Sequence, residues 1–214
     1  MSKQYKTMIF CDFDGTITTE ETFVESIRRI SEQRDLEHWF GLFQRGDITL
    51  RQCTEKLFSL VPSDRYHLIQ EYAETVTVRD GFLDFLREAK RRGCPVVVLS
   101  GGIRRMQTAI LAPYMEYILD FYSCDLDTTG QYMAFSSPHS DERENMCKAR
   151  IMDTYRYERS VCIGDSVADI SMARHAGLVF ARDGLVDYMR EHRLPYVEWN
   201  DFHDIISAMK KYDF

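Results

Sequence analysis

No apolar stretch in this chain approaches the roughly 20 residues that a bilayer-spanning helix requires, so no such helix is expected. Nor is there a Lys/Arg block that could neutralise phosphates along a groove, and the net charge of -7 argues against nucleic-acid partners. The six cysteines, at 11, 53, 94, 124, 147 and 162, form no CxxC pair, which argues against a zinc site. Their even number would permit disulfides. However, Met1-Ser-Lys-Gln-Tyr-Lys6 runs straight into a short apolar segment with no signal-peptide pattern, so the expectation is a cytoplasmic enzyme with reduced thiols. His38, His67, His139, His175, His192 and His203 show no metal-ligand spacing. The sequence does not address oligomeric state.

What is present suits a globular protein. A length of 214 residues fits one mid-sized domain, or a core with a small inserted lobe, and 44% hydrophobic with 29% charged residues is ordinary for such a fold. Thr7-Met-Ile-Phe-Cys11 is nearly continuous in apolar residues, as a buried parallel strand requires, and it ends in Asp12-Phe-Asp14-Gly-Thr16. From Thr19 to Val78 the texture changes: glycine is scarce and charged and apolar residues alternate with helical spacing. Thr49-Leu-Arg-Gln52 reads as a capping box opening a helix that Pro62 terminates, and Ser63 and Asp64 are expected to cap the next helix. These features predict a small all-helical insertion over 19–78, with the core formed by 1–18 and 79–214.

Beyond Asp80 strands and helices alternate. Pro95-Val-Val-Val-Leu99, Ser160-Val-Cys-Ile163 and Leu178-Val-Phe-Ala181 read as strands, with a last one near Tyr196-Val197, and 119–126 with 131–135 as a β-hairpin. Helices are predicted after Ser100-Gly-Gly102 to about Tyr117, over Lys148–Tyr155, and over Val167–Ala176. Such alternation predicts an α/β fold, a Rossmann-like doubly wound parallel sheet, whose ligands bind at the carboxyl ends of the strands.

Four polar clusters fall at those positions: Asp12-x-Asp14-Gly-Thr16, Ser100-Gly101-Gly102, Lys148, and Gly164-Asp165-Ser166-x-x-Asp169. Cleaving a phosphate monoester needs an in-line nucleophile, a proton donor for the leaving oxygen, and positive charge against the phosphoryl oxygens. Asp12 suits the nucleophile, forming an aspartyl-phosphate, and Asp14 suits proton transfer. Carboxylates packed so closely repel one another, and Mg2+ held by Asp12, Asp165 and further oxygens would relieve that repulsion. Ser100, the backbone after it, and Lys148 could hold phosphate oxygens. Plainer readings exist. Lys148 could be an ordinary surface lysine, and Ser166 with Asp169 forms an S-x-x-D capping box, although a metal site could use the same geometry.

The four motifs in this order resemble the haloacid dehalogenase superfamily of phosphatases, and the long helical insert after the first motif resembles its phosphoserine phosphatase branch. The resemblance covers nearly the whole chain. It implies Asp12 as nucleophile and Asp14 as acid and base, with Mg2+ on Asp12, the Asp14 carbonyl and Asp165, supported by Asp169. It also implies phosphate binding through Thr16, Ser100, Gly101 and Lys148, and a mobile helical cap.

Within that branch, Phe180-Ala-Arg-Asp183 and Leu185-Val-Asp-Tyr-Met-Arg-Glu191 are most similar to the phosphatases that act on 2-hydroxy-3-keto-5-methylthiopentenyl-1-phosphate in methionine salvage, as is Glu55-Lys-Leu-Phe-Ser-Leu-Val-Pro62. A cysteine cluster expected before the motif lysine is reduced here to Cys147. Phosphoserine is the alternative substrate: Glu21 matches the glutamate that contacts its amino group. The arginine that binds its carboxylate has no clear match, since Lys56 occupies that stretch and lysine lacks the bidentate fork. Either way the partner is a small phosphorylated metabolite. Trp39, Phe40 and Phe43 could line an apolar subsite, but a place in the core of the cap is the stronger expectation. A phospho-acceptor receiver domain is disfavoured, because receivers are shorter and carry their acidic pair before the acceptor. A phosphomutase using the same intermediate would show itself by transferring phosphate within the substrate.

Overall fold

The strand that carries Asp12, β1 (Gln4–Asp12), begins exposed at Gln4 and is buried without interruption from Thr7 to its end. The computed structural model describes residues 4–142 and 144–214. Six more strands follow: β2 (Val96–Ile103), β3 (Ile118–Asp127), β4 (Ala134–Ser136), β5 (Arg156–Gly164), β6 (Leu178–Ala181) and β7 (Val197–Glu198). They form one sheet in the order β4-β3-β2-β1-β5-β6-β7. All neighbours are parallel except β4, which runs antiparallel to β3 as the expected hairpin.

Register determines where the chemistry lies. Asp12 is opposite Leu99 and Cys11 is opposite Ile163, so the loops leaving β1, β2 and β5 emerge side by side at one edge. Alternate β1 residues face opposite layers. Ile9 and Cys11 pack with Phe82, Phe85 and Ala89 of α5 (Phe82–Arg92) and with Phe202, Ile205 and Met209 of α10 (Phe202–Lys211). Met8 and Phe10 join the other layer. It contains α6 (Arg104–Leu111), α7 (Lys148–Met152), α8 (Ile170–His175) and α9 (Asp183–Glu191).

That second layer continues into the inserted helices α1 (Thr22–Ile30), α2 (Gln33–Gln44), α3 (Leu50–Ser59) and α4 (Tyr66–Ala73). Thr49 and Gln52 form the expected capping box at the start of α3. The segments entering and leaving the insert lie together, through a bridge between Thr18 and Val78 and a bond from the Arg79 N–H to the Ile17 carbonyl (2.7 Å). A second tie joins the insert to the hairpin: the Met133 N–H reaches the Val61 carbonyl (2.9 Å), and the Ser63 N–H reaches that of Gln131 (3.0 Å).

Three local expectations change. Ser63 and Asp64 open a short 3-10 turn instead of capping α4, because the Ser63 backbone is engaged by the hairpin and its hydroxyl has no partner. The helix expected up to Tyr117 stops at Leu111 and tightens into a 3-10 turn containing Pro113, which has no N–H to continue an α-helix. Strand β2 does not end at Leu99 but runs through Ser100-Gly101-Gly102 to Ile103, with its register against β3 shifted on the way. Among the described residues, no helix is long and apolar enough to cross a membrane, and all six cysteines are free and buried.

Candidate active site

The three strand ends surround a cavity of about 630 Å³. On its floor lie Asp12 from β1, Asp14 just beyond, Gly101 from β2 and Lys148 from the start of α7. Lys148 is 2% exposed; its ammonium donates to Asp12 and to Asp169 Oδ1 (2.6 Å). Burial alone would pull the pKa of this lysine down, but the two carboxylates outweigh it and hold the pKa above its ordinary value. It is therefore no surface lysine.

Asp12, Asp165 and Asp169 are all buried and each offers a carboxylate oxygen within 4.8 Å of the others. Burial, then the charge of Asp169, push the Asp12 carboxyl well above the usual range, with Lys148 acting against them. Asp165 is raised to about 8 by burial, Asp169 and Glu21. Three crowded acids facing one lysine are short of positive charge. Their hard oxygen donors fit a hard divalent cation such as Mg2+ and suit softer metals poorly.

Asp169 stands behind this cluster. Its Oδ2 accepts the backbone N–H groups of Asp165 (3.0 Å) and Ser166 (3.2 Å), and the Ser166–Asp169 capping box is complete. One side chain thus caps the turn, holds Lys148 and orients the Asp165 loop. Gly15 sits at φ +73°, and any Cβ there would collide with the Asp165 carboxylate.

Asp14 is held separately. Its Oδ1 accepts from the Thr22 hydroxyl and the Phe23 N–H (3.0 Å) at the start of α1; its Oδ2 accepts from the Ser100 hydroxyl (3.1 Å) and Gln107 Nε2 (3.2 Å). Burial raises its pKa, and the Thr22 and Ser100 hydrogen bonds oppose the rise. Glu21, on the rim, reaches the same group: burial and the charges of Asp14 and Asp12 push it to about 7, while a hydrogen bond to Asp165 works the other way.

Several residues stand elsewhere than the sequence suggested. Thr16 is fully buried, and its hydroxyl is given to Asp165 Oδ1 (3.0 Å), so it orients that acid and does not face the cavity. Ser100 is also fully buried and committed to Asp14, leaving Gly101 as the part of its motif on the cavity wall. Lys56 is exposed on α3 and not part of the wall, because Cys53, Thr54, Leu57 and Phe58 form the buried face of that helix. Phe43 lies at the cavity wall, 36% exposed, while Trp39 and Phe40 pack against the core as expected.

The sequence reading missed Thr22, Gln107 and Arg79. Arg79 donates to the carbonyls of Gly15 (2.6 Å), Thr16 (2.8 Å) and Thr18 (3.0 Å), holding the loop after the nucleophile from the exit of the insert. None of the three lies in a motif. The only available signal was position: Thr22 begins an amphipathic helix, and Arg79 sits at the seam between insert and core.

The chain is similar to known proteins over most of its length. A profile of the haloacid dehalogenase-like hydrolases matches residues 9–174. A 2-hydroxy-3-keto-5-methylthiopentenyl-1-phosphate phosphatase of Microcystis aeruginosa is 36% identical over 200 residues, 92% of this chain and 95% of that protein. Another of the same name from Brevibacillus brevis is 31% identical over 222 residues, 99% of this chain and 97% of its own. A substrate-bound phosphoserine phosphatase superposes with a TM-score of 0.73 at 21% identity, covering 97% of this chain and 99% of that one. A phosphoserine phosphatase carrying a phospho-aspartyl intermediate analogue gives 0.72 at 22%, covering 96% and 99%. The chain belongs to the haloacid dehalogenase-like hydrolase family.

Proposed function

We propose that this chain is a Mg2+-dependent phosphoric monoester hydrolase acting on 2-hydroxy-3-keto-5-methylthiopentenyl-1-phosphate, through an aspartyl-phosphate on Asp12. The observation that carries the reading is a two-sided cavity. Asp12, Asp14 and Lys148 line its floor, and Phe23, Val24, Phe43, Leu50 and Met146 supply an apolar wall suited to a methylthio chain. The curated relatives bear that substrate in their names at 36% and 31% identity over nearly their whole length.

In the proposed reaction an Asp12 carboxylate oxygen attacks phosphorus, the bond to the leaving oxygen breaks, and Asp14 gives that oxygen a proton. Asp14 then takes a proton from water as the water attacks the aspartyl-phosphate, freeing phosphate and restoring Asp12. Lys148 balances charge on Asp12 and on the phosphoryl oxygens, and the backbone at Gly101 allows close approach. Mg2+, held by Asp12, Asp165 and the Asp14 carbonyl with Asp169 in support, would add the positive charge these carboxylates lack. Residues 19–78 serve as a lid over 1–18 and 79–214, excluding water. The six free, buried cysteines suit the reducing cytoplasm, where we propose it acts.

Phosphoserine fits less well. Its carboxylate asks for a cation, and among the described residues Lys148, already engaged by two acids on the floor, is the only cationic side chain lining the cavity. A panel of phosphorylated metabolites compared by kcat/KM with Mg2+ tests the choice. The enol phosphate should rank first; phosphoserine in that position, or no phosphate release from any monoester, refutes the reading.

A further inference from the structure

Gln107 lies in α6, outside every motif, and is 1% exposed. Its Nε2 donates to Asp14 Oδ2 (3.2 Å) and to the Ser100 hydroxyl oxygen (2.6 Å), and its Oε1 accepts from the Ser123 hydroxyl. Ser123, fully buried on β3, has the Gly102 carbonyl at 2.8 Å as a second acceptor for the same hydroxyl hydrogen. The two ends of the amide are therefore distinguished by their partners: the Ser100 hydroxyl gives its hydrogen to Asp14, so its oxygen accepts from Gln107, which places the NH2 on the Asp14 side.

Gly102 makes the contact possible. A Cβ at that position would overlap Gln107 Nε2 and lie 3.0 Å from Asp14 Oδ2. The second glycine of Ser-Gly-Gly thus opens a path for the amide, a task distinct from letting phosphate approach at Gly101.

Thr22 and Phe23 hold one oxygen of Asp14 from the insert, whereas Ser100 and Gln107 hold the other from the core. The core pair is tied to the sheet, Ser100 through β2 and Gln107 through Ser123, and makes its contacts independently of the insert. We propose that Gln107 is a positioning residue for Asp14, fixing Oδ2 so that the carboxyl meets the leaving oxygen in one orientation. This rests on the reading of Asp14 as the proton donor. Misplacing a catalytic acid by about 1 Å forfeits much of its benefit, and general acid catalysis contributes roughly 10²- to 10⁴-fold.

The test uses kcat/KM, which reports the first chemical step, on phenyl phosphate and p-nitrophenyl phosphate. Phenolate is the poorer leaving group and needs the proton; p-nitrophenolate departs largely without it. Gln107→Met keeps the side chain's bulk and removes its donor. It should lower kcat/KM on phenyl phosphate at least about tenfold while p-nitrophenyl phosphate stays within about threefold, a part of the general-acid effect. Ser123→Ala, which touches neither Asp14 nor the cavity, should show the same bias at smaller size. Asp14→Asn is the reference and should show the bias in full. Equal losses on both substrates in Gln107→Met, or none, overturn the proposal while a biased Asp14→Asn leaves the acid role intact. A flat Asp14→Asn removes the acid role and this proposal together.

Discussion

The floor and the wall of the cavity are built on different principles. The floor consists of buried charges: Asp12, Asp165, Asp169 and Lys148 are each no more than 5% exposed and gather beside the ends of β1 and β5, with Lys148 brought in by the start of α7. The wall on the insert side is made of apolar side chains on amphipathic helices, with Phe43 still partly open to solvent. Charges on the floor cannot move without leaving an acid buried and unpaired. Apolar side chains on the wall are interchangeable within a volume. On the proposed function the floor carries the reaction and the wall the choice of substrate, and each half predicts a different response to mutation.

The largest effect is expected at the floor. Asp12→Asn should lower phosphate release by about 10⁴-fold or more, as loss of a covalent nucleophile does, with kcat the reporting quantity. Lys148→Met should cost about 10²- to 10³-fold in kcat. It should also lower stability by about 3–5 kcal/mol, since Asp12 and Asp169 would face each other buried without their cation. Thermal melting checks this, and added Mg2+ should restore part of the loss. A wild-type melting temperature in Lys148→Met would show that the floor is less constrained than the comparison holds.

The wall should respond more mildly and more selectively. Phe43→Ala should reduce kcat/KM for the methylthio substrate by about tenfold, the worth of one partly buried aromatic ring against an apolar chain, while p-nitrophenyl phosphate changes less. An equal loss on both substrates would tie Phe43 to the reaction instead of to selection.

A pH titration of the metal-free protein sharpens the comparison further. A carboxyl whose pKa is higher folded than unfolded binds its proton more tightly in the native state. Its stabilisation is complete below the unfolded value and disappears as pH rises through the folded one. For Asp165, raised from 3.8 to about 8, the melting temperature in EDTA should fall across that window. Mg2+ should flatten the fall by favouring the ionised acids. A melting temperature that is flat or rising in EDTA would contradict the crowding seen on the floor. The smallest effect belongs to Lys56→Ala, which should leave kcat/KM on all substrates within about twofold because Lys56 faces solvent.

Much of the floor was legible in the chain. Strand-end acids, a Ser-Gly-Gly segment at the end of an apolar run and an S-x-x-D box mark one edge of a parallel sheet, since strand direction brings such residues together. The wall was less legible. Helical spacing shows that a segment has an apolar face, but not whether a given residue, such as Phe43 or Trp39, meets the core or the cavity. Hydroxyls were the hardest to assign. Thr16 and Ser100 stand within motifs, yet their partners, Asp165 and Asp14, are set by side-chain geometry across different strands.

By itself the sequence determined the alternation of strands and helices, the insert after β1, and the edge where the acids gather. These follow from local periodicity and strand direction, which neighbouring residues encode. Tertiary structure alone decided that Lys148 is buried between two acids, that Lys56 lies outside, and that Gln107 and Arg79 reach the loop around Asp12 and Asp14. Those interactions join elements far apart in the chain, and their distances depend on how whole helices pack on the sheet, which no local pattern encodes.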